Sequence, residues 1–135
     1  MSPRHVPASV TELQRVGLFA ELPGETLSKL ADRMLREELE SGTVVIQEGE
    51  PGDRFYVIAS GRSEVIRDGT AVGSIGKGRY FGEVALLRDV PRTATVTATT
   101  PMRLFALDRD GFELVVADAF RRGTLRPAAD RIWQH

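Results

Sequence analysis

The sequence contains no cysteine and only two histidines, His5 and His135, among its 135 residues. The lack of cysteine excludes disulfide bonds and thiolate metal ligands, and it is typical of proteins in a reducing compartment. Zinc is usually held by several imidazole or thiolate groups, and carboxylates alone make a poor zinc ligand set. We therefore expect no metal centre in this protein.

A strong net charge and a long apolar run are also missing. The formal net charge is −1 at pH 7, which provides no general attraction to nucleic acid or to an acidic membrane. No apolar run approaches the roughly 20 residues that cross a bilayer, and the first residues lack the apolar core of a signal peptide. The length is typical of one domain. We expect a cytoplasmic protein with no nucleic-acid partner and no membrane segment.

Short β-prone stretches separated by glycine turns occupy the middle of the chain. Asp68-Gly69 is a typical turn of a tight hairpin. The stretches with strand character are 43–46, 54–59, 62–67, 70–75, 93–99 and 102–107. This spacing predicts a β-sandwich or barrel over residues 35–107. Turn formation without ligand contact is the role predicted for Gly42, Gly49, Gly52, Gly61 and Gly69.

A helical segment is predicted before the strands. Residues 1–8 are interrupted by prolines and are expected to be flexible. Ser9 with Glu12 forms a capping-box pattern, so a helical segment is predicted over residues 9–34. Its second helix starts at Pro23 and continues to about Met34.

A second helical segment, residues 108–135, is predicted after the strands. Asp108 is the expected N-cap of a helix that extends to Ala119. Its apolar face is formed by Phe112, Val115, Val116 and Ala119. Gly123 and Pro127 interrupt any continuation.

The stretch from Tyr80 to Ala94 combines features of a nucleotide site. Gly82 precedes a short helical turn, whose first amides have no intrahelical partner and can bind an anion. Arg92 is a permanent cation whose planar donors match a phosphate. Glu83 cannot bind phosphate, but it can accept hydrogen bonds from sugar hydroxyls. Phosphate and sugar together indicate a nucleotide.

Phe81-Gly-Glu-Val-Ala-Leu-Leu followed by Pro91-Arg-Thr-Ala resembles the phosphate-binding cassette of the cyclic nucleotide-binding domain family. That family includes regulatory subunits of cAMP-dependent kinase, cyclic nucleotide-gated channels and bacterial cAMP receptor proteins. The resemblance implies a mainly β fold, an eight-stranded antiparallel β-roll with flanking helices. It also implies that Glu83 binds the ribose 2′-hydroxyl and Arg92 binds the cyclic phosphate. The backbone around Gly82, Val84, Ala85, Thr93 and Ala94 would complete the phosphate shell.

The resemblance further implies a regulatory module without catalytic residues. Its ligand would be cAMP, with cGMP as the alternative, because in the family a threonine at the position of Thr93 can bond the guanine amino group. No other cofactor is expected. Ligand binding would move the terminal helices, which would control an effector that the sequence does not contain.

Several residues have two interpretations. Val65 and Ile75 are candidate apolar contacts of the base, or ordinary core. Leu86 and Leu87 either close the phosphate pocket or pack in the core. Family members usually place a longer C-terminal helix over the base as a lid. Trp133 or its neighbour Ile132 would then stack on the base, or Trp133 would instead pack on the barrel or contact a partner.

Alternative functions remain open from the sequence. Glu83 alone is compatible with a helix-start acid, and Arg92 alone with a solvated loop cation. A degenerate domain that serves only as an interaction scaffold would keep the fold without the ligand. A metal-dependent enzyme of the cupin type would need the histidines that this sequence lacks, and a phosphodiesterase would need a base near the phosphate.

Overall fold

The computed structural model describes residues 6–7, 11, 13, 19 and 22–122. Eight strands lie within residues 35–108, all of which are described, and a two-residue strand precedes them. The strands are β1 Val6–Pro7, β2 Leu35–Leu39, β3 Val44–Ile46, β4 Arg54–Ser60, β5 Arg62–Arg67, β6 Thr70–Gly76, β7 Tyr80–Phe81, β8 Thr95–Ala98 and β9 Met102–Asp108.

The strands form two antiparallel sheets. The first has the order β1-β2-β9-β4-β7 and the second has the order β3-β8-β5-β6. The predicted hairpin at Asp68-Gly69 joins β5 and β6, with Asp68 in the left-handed region at a φ of 51°. The predicted β-roll is confirmed. The short pairing of Val6 with Arg36 was not predicted, since residues 1–8 were expected to be flexible.

The first sheet is buried on both faces because its strands alternate between two apolar clusters. Phe55 and Val57 of β4 pack toward the helices, whereas Tyr56 and Ile58 pack toward the second sheet. This period of two follows from the alternation of side chains along a strand. The sequence of β4 is therefore an almost continuous apolar run. Its side chains contact the helical layer on one face and the interior of the roll on the other.

Helix α1, Gly24–Arg33, lies where the sequence predicts the second N-terminal helix. Pro23 is its N-cap, and Leu27, Leu30 and Ala31 form its buried face. Of the helix predicted to begin at Ser9, the structure describes Thr11 and Leu13, both helical. The other residues of that prediction lie outside the described residues.

The segment after β9 begins as predicted but is not a uniform α-helix. It consists of α3, Arg109–Gly111, a π-helical turn, Phe112–Val116, and α4, Ala117–Arg121. Asp108 caps it, since Oδ1 accepts a hydrogen bond of 2.8 Å from the Gly111 amide. The π turn adds a residue to the helical repeat, a change that apolar periodicity does not reveal.

Residues 109–121 bury part of the apolar face that the sequence predicts. Phe112 and Val116 are buried as predicted, and Ala117 joins them, whereas Leu114 is 63% exposed. The predicted inward side chains of Val115 and Ala119 lie outside the described residues. No helix in the described part of the chain has both the length and the apolar character needed to cross a membrane.

Candidate functional site

Helix α2, Glu83–Arg88, begins at a glycine that no other residue could replace without strain. Gly82 is the N-cap and has a φ of 92°, a conformation that side chains with a Cβ rarely adopt. A Cβ at this position would also lie 2.8 Å from the Arg54 carbonyl oxygen and 3.0 Å from Nη1 of Arg92. Gly82 therefore allows both the sharp entry into the helix and the close approach of the arginine.

The start of α2 carries the polar groups of the candidate site. Gly82 provides no side-chain cap, so the first amides of the helix keep donor capacity for an anion. Glu83 follows and is completely buried. A buried carboxylate requires compensation, and Glu83 does interact within the protein. Its charge also favours the cationic form of Arg92.

Arg92 is buried at the same point, with 6% of its surface exposed. Its Nη1 donates to the Gly82 carbonyl at 2.8 Å and its Nη2 donates to the Arg54 carbonyl at 2.9 Å. Its backbone is held as well, because Arg92 N donates to Glu50 O at 2.8 Å and Gly49 N donates to Arg92 O at 2.9 Å. The guanidinium is thus fixed by contacts at both ends of the residue.

The electrostatic state of Arg92 favours an anionic ligand. Burial lowers the pKa of the guanidinium, while Tyr56, Asp53 and Glu83 oppose this effect. A guanidinium has five N–H donors and remains charged in proteins. The two bonds to carbonyl oxygens use one hydrogen on each terminal nitrogen, which leaves donor capacity for a phosphate. A desolvated cation of this kind gains more from an anion than an exposed one does.

Gly52 is a site residue that sequence reasoning assigned only to a turn. It is buried, and a Cβ there would lie 2.6 Å from Cζ and Nε of Arg92 and 2.7 Å from Cβ of Ala85. Because Gly52 has no side chain, the loop backbone can lie directly against the Arg92 guanidinium. The position of Gly52 in a turn-rich stretch concealed this role, and no sequence signal distinguishes it from the neighbouring Gly49.

The other predicted shell residues lie beside these groups. Val84, Ala85 and Ala94 are buried, and Thr93 is half-buried just after Arg92. Tyr56 and Phe81 stack with ring centroids 5.1 Å apart, and burial raises the pKa of Tyr56. Sequence reasoning assigned neither ring a role of its own, although Tyr56 pairs with Phe81 directly before Gly82.

The candidate base contacts are buried inside the roll. Val65 and Ile75 belong to the apolar cluster that also contains Phe81 and Ala94. The structure therefore places both side chains in the apolar layer between the two sheets, a position that fits the core role and the base role equally well. Trp133 and Ile132 lie outside the described residues.

Leu86 and Leu87 lie on the helical side of the first sheet. Leu86 is buried in the cluster between the first sheet and the helices, and Leu87 packs against that cluster. Both belong to the core on the opposite face of the sheet from Val65. This placement agrees with the core interpretation of both residues, and closure of the phosphate pocket by them stays a prediction.

The described residues contain no group of three or more histidine, cysteine, aspartate or glutamate side chains that could hold a metal ion. The polar groups assembled around Arg92 are its buried guanidinium, the backbone at the start of α2 and the buried Glu83 carboxylate.

Comparisons with known proteins agree with this geometry. The sequence model of the cyclic nucleotide-binding domain family matches residues 36–118 of this chain. The cAMP-dependent protein kinase regulatory subunit of Yarrowia lipolytica is 46% identical over 103 residues, which cover 75% of this chain and 28% of that protein. The cGMP-dependent protein kinase egl-4 of Caenorhabditis elegans is 38% identical over 103 residues, covering 76% of this chain and 13% of that protein.

A solved structure has a fold similar to that of this chain. The regulatory domain of Toxoplasma gondii PKA, determined with cAMP, superposes with a TM-score of 0.76 at 27% identity, covering 85% of this chain and 48% of that chain. The fold is that of the cyclic nucleotide-binding domain. This chain belongs to the cyclic nucleotide-binding domain family, and it spans less than half the length of the relatives described here.

Proposed function

We propose that this chain binds a 3′,5′-cyclic nucleotide at residues 82–94, with cAMP preferred over cGMP. The observation that carries the proposal is Arg92, a buried guanidinium held by the carbonyls of Gly82 and Arg54 at the start of α2. Fixed donors in a desolvated site bind a phosphate without reorganising. The similarity to cAMP-dependent kinase regulatory subunits supports the same assignment.

Each part of the site would contact a different part of the ligand. Arg92 and the amides of Gly82, Val84, Ala85, Thr93 and Ala94 would hold the cyclic phosphate. Glu83 would accept a hydrogen bond from the ribose 2′-hydroxyl. Val65 and Ile75 would form the apolar wall for the base, and Trp133 would stack on it. Thr93 makes cGMP an alternative ligand, and the relatives include both cAMP- and cGMP-dependent proteins.

The proposed role is regulatory binding rather than catalysis. Arg109 at the start of the C-terminal helical segment donates to the Gly52 carbonyl at 3.2 Å, and its guanidinium lies 3.7 Å from the Asp89 carboxylate at the end of α2. A displacement of the cassette would therefore act on the C-terminal helices, which would transmit it to an effector. Ligand binding shifts such an equilibrium only through different affinities for the two states. The cytoplasmic location stays a prediction.

Isothermal titration with cAMP, cGMP and 5′-AMP tests the proposal. We expect saturable binding of cAMP, weaker binding of cGMP and no saturation with 5′-AMP, whose open phosphate carries more charge and cannot adopt the cyclic geometry. Unchanged cAMP after overnight incubation would agree with the absence of turnover. Failure of both cyclic nucleotides to bind would instead favour an interaction scaffold.

Replacement of Glu83 by Gln should reduce discrimination between cAMP and its 2′-deoxy analogue. The amide is nearly the same size but accepts the ribose hydroxyl without a negative charge, and bonds to charged groups contribute about 1.5–3 kcal/mol. We expect the affinity for cAMP to fall by about tenfold and that for 2′-deoxy-cAMP to change little. Equal losses for the two ligands would contradict the assignment of Glu83 to the 2′-hydroxyl.

A further inference from the structure

The loop between β3 and β4, residues 47–53, joins the phosphate side of the site to a distant hairpin. On one side it holds Arg92 through the two backbone hydrogen bonds that involve Gly49 and Glu50. On the other side, the Glu48 carboxylate accepts a hydrogen bond of 3.0 Å from the amide of Asp68, at the tip of the β5–β6 hairpin. One short loop therefore contacts both Arg92 and the hairpin.

The hairpin tip extends beyond the sheet that supports the rest of the hairpin. The pairing of β5 with β8 ends at Ile66 opposite Thr95, so residues 67–70 lie past the last pair. Glu48 reaches this overhanging part. It is itself anchored to β8, because its backbone amide donates to Thr95 Oγ1 at 3.0 Å. The end of β8 thus positions Glu48, and Glu48 holds the tip.

We propose that Glu48 is a positioning residue of the nucleotide site. It sets the β5–β6 hairpin, which carries Val65 and Ile75, at a defined distance from the loop that holds Arg92. A carboxylate that accepts from a backbone amide forms a charge-assisted bond, which suits it to hold a solvent-facing turn. Glu48 does not contact the ligand. It fixes the position of the residues that contact the base relative to the residues that contact the phosphate. This inference rests on the proposed function.

The test compares cAMP with a base-free analogue, methyl riboside 3′,5′-cyclic phosphate, on Glu48→Ala. Loss of the tether should lower the affinity for cAMP by about 3- to 10-fold, the range of one net hydrogen bond. The affinity for the base-free analogue should stay within about twofold, because its phosphate and sugar contacts do not involve the hairpin. Glu48→Gln retains an acceptor oxygen and should recover most of the cAMP affinity.

Glu40→Ala is the matched control, since it removes an exposed carboxylate from the turn between β2 and β3 and should change neither affinity. Thermal unfolding confirms that each variant is folded, and Glu48→Asp, one methylene shorter, makes the same comparison if Glu48→Ala does not fold. Unchanged cAMP affinity, or equal losses for both ligands, would overturn the positioning role. A wild-type chain that binds neither ligand would overturn the proposed function itself, a result distinct from both.

Discussion

Replacement of Arg92 by Ala is expected to lower the affinity for cAMP by about 2–5 kcal/mol, as is typical of removing one partner of a buried charge pair. This corresponds to roughly 30-fold to 4,000-fold in the dissociation constant. Without the guanidinium, the phosphate would retain only the backbone donors of the site. Isothermal titration of the variant measures the loss.

The same substitution removes the donors to the carbonyls of Gly82 and Arg54, so part of the effect would come from a displaced α2. Arg92→Lys separates the two contributions, because it keeps the positive charge but not the paired donors. We expect an intermediate affinity for this variant. Arg88→Ala is the matched control, since Arg88 is exposed in the last turn of the same helix. Unchanged cAMP affinity of Arg92→Ala would show that the phosphate does not bind there.

Replacement of Gly52 by Ala is expected to have the second largest effect, although it adds only a methyl group. The new Cβ would overlap the Arg92 guanidinium and Cβ of Ala85. The guanidinium is held by two hydrogen bonds, and Cβ of Ala85 is fixed to the backbone of α2. A shift of the guanidinium would therefore break hydrogen bonds, and a shift of Ala85 would displace the helix. Overpacking a dense site costs about 1–3 kcal/mol of stability. We also expect at least about a tenfold loss of cAMP affinity.

Thermal unfolding and titration of Gly52→Ala measure the two effects separately. Gly24→Ala is the control, because a Cβ at Gly24 meets nothing within 4 Å and alanine favours the helix that begins there. Neither Gly24 nor Gly52 has a positive φ, so the comparison isolates the steric effect. Wild-type affinity in Gly52→Ala would contradict the view that close approach at Gly52 sets the position of Arg92.

Sequence patterns predicted the parts of the fold that depend on neighbouring residues. Asp68-Gly69 requires only its own two residues to form a hairpin turn, and Asp108 requires only the amide three residues later to cap a helix. A β-sandwich or barrel followed from glycine turns at short, repeated spacing, and the family resemblance specified the β-roll. The candidate site followed from the spacing between Glu83 and Arg92, since both lie in one continuous stretch.

Contacts between distant segments were not predictable in the same way. The carbonyl that binds Nη2 of Arg92 belongs to Arg54, 38 residues earlier, and a backbone carbonyl has no sequence signature. The close approach at Gly52 has the same origin. Glu48 was likewise only one acid in a turn-rich stretch until the fold placed it beside Asp68, 20 residues later.

By itself, the sequence determined the alternation along each strand, the turns, the helix cap and the charges available to a ligand, because these depend on local geometry and residue chemistry. Only the tertiary structure decided which face of the first sheet meets the helices and which meets the second sheet. It directed Leu86 toward the helices and buried Arg92 against Gly52. The physical reason is that a period of two specifies two faces but not their partners, which are selected when the layers pack.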